Sequence, residues 1–186
     1  MSTPTAVKPQ DLAGTWAIDP AHSSLTFSAK HMMISTVSGH FGTFEGSFTI
    51  GEDFLTSTAT AEIDASSIHS GSPDRDGHLK SPDFLDVENH PKLTFKSTSL
   101  EVLSDTEANL TGDLTVVGIT KPITLKVVFE GTTPDLFTES TRVAFTATGK
   151  FDREDFGLTW NKALESGGVL VSKTVKLSIE VAAVKQ

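Results

Sequence analysis

The chain of 186 residues contains no cysteine and no tyrosine, and its only arginines are Arg75, Arg142 and Arg153. Without cysteine there are no disulfides, no thiol nucleophile and no thiolate-ligated zinc or iron. Without tyrosine, the aromatic content rests on 12 Phe and two Trp, which favours apolar packing over polar recognition. Positive charge is scarce: 15 Lys and Arg face 24 acidic residues, a net charge of -9, and no run of basic residues interrupts the balance. Nucleic acid and anionic membranes are therefore not expected partners, since both require local positive potential. No apolar run is long enough to span a bilayer as a helix. Met1 to Gln10 has no apolar core of a signal peptide, so a cytoplasmic location is the expectation.

What the sequence has in abundance is alternation with period two, the signature of strands with one wet face. Leu25, Phe27 and Ala29 share a face, as do Phe44, Phe48 and Ile50, and then Ala59, Ala61 and Ile63. Leu93 and Phe95 begin a strand that Leu100 and Val102 continue in the opposite parity, which predicts a bulge or a break at Ser97-Thr98-Ser99. Leu110, Leu114 and Val116 follow, then Ile123 to Phe129, Val143 to Phe151, and a last long strand through Val175, Leu177, Ile179 and Val181. The pattern predicts eight to ten antiparallel strands in one all-β domain. Glycines at 42, 46, 112 and 149 beside the strands favour a curved barrel over a sandwich. Residues 1–13 read as a flexible arm and 14–186 as the barrel. Two stretches break the pattern. Residues 30–39 read as a helical turn or irregular crossover, and 72–86 as turns and short helices forming a lid.

An apolar interior puts the candidate ligand contacts on the alternating rows: Phe27, Phe44, Phe48, Ala61 and Ile63 from the first half. Phe95, Leu114, Phe145 and Ala147 supply the second half, and the alanines leave room for a ligand. A head group needs a polar partner. His31, followed by Met32 and Met33, is the leading candidate at a cavity entrance, with Ser97 and Ser99 at the parity break behind it. The other polar groups have plainer readings. Arg75, Asp76 and His78 would anchor the lid, Arg75 pairing with an acid across the barrel mouth while Leu79, Phe84 and Leu85 pack inward. The six histidines show no metal-binding spacing. A site of His31, His40 and Glu45 is the remaining metal alternative, and no metal or cofactor is implied. Asp152, Arg153, Glu154 and Asp155 read as a solvated charged turn, and Lys173 as a bulge, a rim residue or a paired charge.

Six motifs in order resemble the YceI-like family of polyisoprenoid-binding proteins. They are WAIDPAHSSLTF from Trp16 with His31; VSGHFGTFEG from Val37; RDGHLKSPDFLD from Arg75; HPKLTFKS from His90; GDLTVVGIT from Gly112; and FDREDFGLTW from Phe151, followed by Val169-Leu170-Val171. Gly77 within the third motif, and Leu85 where a second aromatic is common, depart from the family pattern. The resemblance implies an extended, eight-stranded antiparallel lipocalin-like barrel with one or two short helical segments, often a homodimer. It also implies an isoprenoid or other long-chain amphiphile as the interior ligand. Two alternatives stand beside binding or transport: an enzyme acting on a hydrophobic substrate through His31 or the Arg75, Asp76, His78 group, and a filled barrel acting through its surface.

Overall fold

In the computed structural model, which describes residues 9–186, the alternating segments become eleven strands. In chain order they are β1 (Gly14–Ile18), β2 (Ser24–His31), β3 (Ser35–Phe41), β4 (Phe44–Ile50), β5 (Thr58–Asp64) and β6 (Ile68–His69). They continue as β7 (Lys92–Val102), β8 (Glu107–Val116), β9 (Ile119–Pro134), β10 (Thr141–Asp152) and β11 (Val171–Lys185). Two short α-helices, α1 (Pro9–Leu12) and α2 (Pro73–Lys80), and four single 3-10 turns complete the regular structure of the described residues.

Eight strands close a ring in the order β1-β4-β5-β7-β8-β9-β10-β11, with β11 returning to β1. Every pairing in it is antiparallel. The expected eight-stranded lipocalin-like barrel is thus what the chain forms. β11 divides one of its edges. Ala183 to Lys185 pair with β1, whereas Val171 to Glu180 pair with β2. β2 carries β3 and β6 beyond it, so the wall extends past the ring.

The parity break behaves as its alternation requires: the β7–β8 register shifts between Ser97 and Ser99. Ser97 Oγ there accepts a hydrogen bond from the Ala59 amide at 2.8 Å, so its hydroxyl satisfies a backbone donor beside the bulge. A second register shift, between Val171 and Val175, explains Lys173. It falls in the shifted stretch, is exposed, and pairs with Glu154 at 2.7 Å.

Two expectations change. Residues 30–39 form neither a helix nor a crossover but the β2–β3 hairpin, His31 pairing with Ser35. Its tip holds Met32 and Met33 at φ 51° and 66°, a left-handed region that side chains rarely occupy, so the apolar run there is a turn. Of the expected arm, residues 1–8 lie outside the described residues. Residues 9–12 form α1, and Leu12 is buried against Trp16, whose indole Nε1 donates to the Leu12 carbonyl at 2.9 Å.

Burial is concentrated in two clusters. One joins Leu12, Trp16, Ile50, Val143 and Ala183 at the end where β1 meets β11. The other is packed at the opposite end, beneath α2, with Ile63, Leu85, Leu93, Val116, Phe156 and Leu158, and runs from there along the wall through Leu114, Leu125 and Ala147. Trp16 is fully buried and stacks on Phe48 at 6.3 Å. Replacing Trp16 with Ala is expected to lower unfolding stability by about 3–5 kcal/mol, read from urea denaturation. A loss below about 1 kcal/mol would show that this cluster does not secure the closure.

Arg142 ties three segments of the same end together. It donates to Asp19, which caps the turn after β1, at 2.7 Å, and to Asp135 in the β9–β10 loop. Both carboxyls are held at about 2, Asp19 chiefly by Arg142 and then by His22, Asp135 by Arg142 and the amides of Phe137 and Thr138. Acid therefore protonates these groups in the unfolded chain first. Their contribution to stability is complete above about pH 4 and disappears as pH falls through about 2. The stability difference between wild type and Arg142→Met should accordingly shrink across that window in denaturation curves. A difference constant from pH 5 to pH 2 would contradict the pairing.

Candidate functional site

Between the two buried clusters the barrel is hollow. The cavity has a volume of about 430 Å³, within the range of small-molecule sites. Its wall is built from the inward rows of the strands, because alternate residues of each strand face the same side. Phe27, Phe44, Phe48, Ala61, Ile63, Phe95, Leu114, Phe145 and Ala147 all lie on this wall. Leu25, Ala29, Phe41, Phe129, Leu158 and Arg153 stand there as well, and were not among the sequence candidates. Most could have been found from the same alternation. Leu25 and Ala29 share the parity of Phe27, and Phe129 that of Leu125.

The two ends differ. Under α2, the lining residues Ile68, Phe84, Leu85, Val116 and Leu158 are buried. At the β7–β8 hairpin, the lining residues Val102, Ser104, Asp105 and Thr106 are exposed, beside the equally exposed Leu55 and Leu103. The cavity therefore opens near this hairpin and is closed at the other end.

The polar candidates are placed elsewhere. His31 follows Leu25, Phe27 and Ala29 on one face of β2 and pairs with the wall residue Val171, yet does not itself line the cavity. Met32 and Met33 are 47% and 58% exposed in the hairpin turn, also off the wall, because that turn carries them past the last strand pair. Met33 packs instead against Gly168, in the loop before β11. Ser97 is taken up by the bulge. His31 and His40 are separated by five strand positions in the β2–β3 ladder, on the order of 17 Å. Among the described residues no group of three His, Asp or Glu could hold a metal ion.

The expected 72–86 lid is α2 followed by turns, with Ser72 as its N-cap and Pro73 in its first turn. Leu79, Phe84 and Leu85 reach the cavity. The polar residues of this segment serve three separate purposes rather than one site. Arg75 is not paired with an acid: its Nε donates to Ser70 Oγ at 2.9 Å and its Nη2 to the Ser70 carbonyl at 2.8 Å. The helix turns it back onto the preceding loop instead of across the barrel. Asp76, buried in the same place, accepts from the Ser70 amide at 2.8 Å and faces His69 Nδ1 at 3.1 Å. The Ser70 hydroxyl, its strongest partner, holds the Asp76 carboxyl below the ordinary aspartate value against the opposing effect of burial. His78 points away from both, bonding Asp83 at 2.9 Å and meeting Phe84 and Trp160 edge-on. In the charged turn after β10, Asp152 caps the Glu154 amide and Glu154 is the partner of Lys173.

A closed eight-stranded antiparallel barrel around an apolar cavity defines a lipocalin-like protein. The chain belongs to the YceI-like family, whose domain matches residues 16–183. A UPF0312 protein of Staphylococcus aureus strain N315 is 41% identical over 165 residues, covering 87% of this chain and 92% of the relative. BcnA of Burkholderia cenocepacia shares the fold at 19% identity with a TM-score of 0.77, over 89% of this chain and 98% of its own. A polyisoprenoid binding domain from Saccharophagus degradans does so at 15% identity and a TM-score of 0.69, over 92% and 98%.

Removing the buried Asp76 carboxylate strands the Ser70 amide and hydroxyl, whereas Arg75 is exposed, so its removal opens the Ser70 acceptors to water. Asp76→Ala should therefore lower the melting temperature clearly more than Arg75→Ala. The reverse order would show that Arg75 is the principal brace of this loop.

Proposed function

We propose that the barrel takes the hydrocarbon chain of an isoprenoid or related long-chain amphiphile into its interior, and so carries or sequesters it. The observation that carries this reading is the cavity itself: about 430 Å³ of space walled by Phe, Leu, Ile, Val and Ala, closed under α2 and open at the β7–β8 hairpin. Such a wall offers shape and apolar contact and few hydrogen bonds, so it discriminates chains from polar metabolites. Each buried CH₂ contributes about 0.8 kcal/mol, so a five-carbon prenyl unit contributes roughly 3 to 4 before association costs. A few units suffice for useful affinity. The polyisoprenoid binding domain of Saccharophagus degradans has the same fold, which is consistent with this use of the interior.

The two other readings lose their motivation. An enzyme would need polar machinery facing its substrate, and neither His31 nor any of Arg75, Asp76 and His78 lines the cavity. A filled barrel would have side chains through its whole interior at crystal-like density, and this interior keeps a cavity between its two buried clusters.

Farnesol or a longer polyprenol should displace a neutral fluorescent probe from the protein, and native mass spectrometry should show one chain per barrel. Ala61→Phe fills the wall where a small side chain leaves room, and should weaken that binding about tenfold or more while circular dichroism stays unchanged. A folded Ala61→Phe with wild-type affinity, or a wild-type protein that binds no such chain, would overturn the proposal.

A further inference from the structure

The charged residues on the cavity wall are distributed unequally. Asp105 and Glu107 stand at the open end, and Glu180 lies on β11, toward the β1 end of that strand. The only cation among the described lining residues is Arg153, at the closed end. Its position follows from local structure: β10 ends in a 3-10 turn, Arg153–Phe156, capped by Asp152 and ended by Gly157 at φ 75°. That turn swings Arg153 inward, leaving it only 3% exposed.

Arg153 is held, yet not neutralised. Its Nε donates to the Ser172 carbonyl at 2.9 Å, Nη1 to the Leu158 carbonyl, and Nη2 to the Val171 carbonyl at 3.3 Å. A guanidinium has five N–H groups, so one on each terminal nitrogen has no protein acceptor in these bonds. The guanidinium lies 6.0 Å from the centre of the Phe84 ring. None of the ion pairs among the described residues includes Arg153. The two acids whose charge reaches it are engaged, Glu154 with Lys173 at 2.7 Å and Asp152 with the Glu154 amide at 2.9 Å. Burial pulls the Arg153 pKa below the usual arginine value, and Glu154 and Asp152 only partly oppose it. A buried cation bonded only to neutral carbonyls makes no direct ion pair to compensate for its lost hydration.

We propose that Arg153 receives the anionic head of the amphiphile, a carboxylate, so that the ligand lies head-inward under α2 with its tail toward the β7–β8 hairpin. Two free N–H groups on the terminal nitrogens suit the two oxygens of a carboxylate, the pairing in which arginine is strongest. The acids at the opening add to the orientation, since an anionic head left there would meet like charge. This inference rests on the reading that the cavity holds a hydrocarbon chain, and it adds which head that chain bears and which way it points.

The test compares dodecanoic acid with its methyl ester, by displacement of a neutral fluorescent probe at pH 7.5, on wild type and Arg153→Met. The wild type should prefer the acid by about tenfold or more, and Arg153→Met should lose that preference while still binding the ester. Because Arg153 also ties backbone segments together, the same question is put to the intact protein by carbon-13 NMR of carboxyl-labelled dodecanoic acid. The bound carboxyl should stay ionised to lower pH than it does in water. Equal affinity for acid and ester in the wild type, or a bound carboxyl that titrates at or above its value in water, would overturn the assignment while leaving the chain-binding cavity intact. Failure of both acid and ester to bind would remove the cavity reading, and the head-group assignment with it.

Discussion

The architecture depends on how β11 spends its two edges. One edge pairs with β10 along nearly the whole strand, from Thr174 to Val184. The other is shared, three residues with β1 and the longer remainder with β2. Closure through so short a contact needs reinforcement, and the fully buried Trp16 supplies it where β1, β4 and β11 meet. Because β1 takes so little of β11, the rest of that edge is free to recruit β2 and its hairpin partner. Phe27 and Phe41 then extend the cavity wall beyond the ring. A barrel closed by a full-length strand pair would have no such extension.

Two phenylalanines of the cavity wall, Phe27 and Phe95, lie over glycines of the neighbouring strands. A side chain at Gly39 would place its Cβ 2.5 Å from the Phe27 ring, and one at Gly112 would come within 2.3 Å of the Phe95 ring. Contacts that short are forbidden, so each phenylalanine covers a glycine on the neighbouring strand instead of standing into the lumen. Alanines at 61 and 147 keep the wall thin in the same way. The interior volume is therefore a consequence of particular small residues, and the two packed clusters at the ends carry the stability that an empty centre forgoes.

Much of this was legible in the sequence because the strand period is rigid. A parity flip between Phe95 and Leu100 means a bulge or a break, and the strand runs on with its register shifted between Ser97 and Ser99. The same logic put nine apolar candidates on the wall that the cavity has. Polar residues have no comparable period, and they were harder to place. His31, Met32 and Met33 form a polar-apolar cluster in the sequence, but the hairpin turn sends the methionines to the surface. Arg75 was expected to find an acid and instead binds the Ser70 hydroxyl and carbonyl. Arg153, flanked by three acids, has the composition of a solvated turn. Only the short turn after β10 reveals that it faces inward while Asp152 and Glu154 find other partners.

The proposed hydrocarbon chain lies along the hollow between the two packed clusters. The most direct measurement is a set of intermolecular NMR contacts between a carbon-13-labelled alkyl chain and side chains of the labelled protein. A chain in that position gives contacts to Phe27, Phe95 and Ala147 within one bound species, since these residues line one continuous cavity. Contacts confined to Leu136 and Phe137, the most exposed large apolar side chains of the described surface, would contradict it.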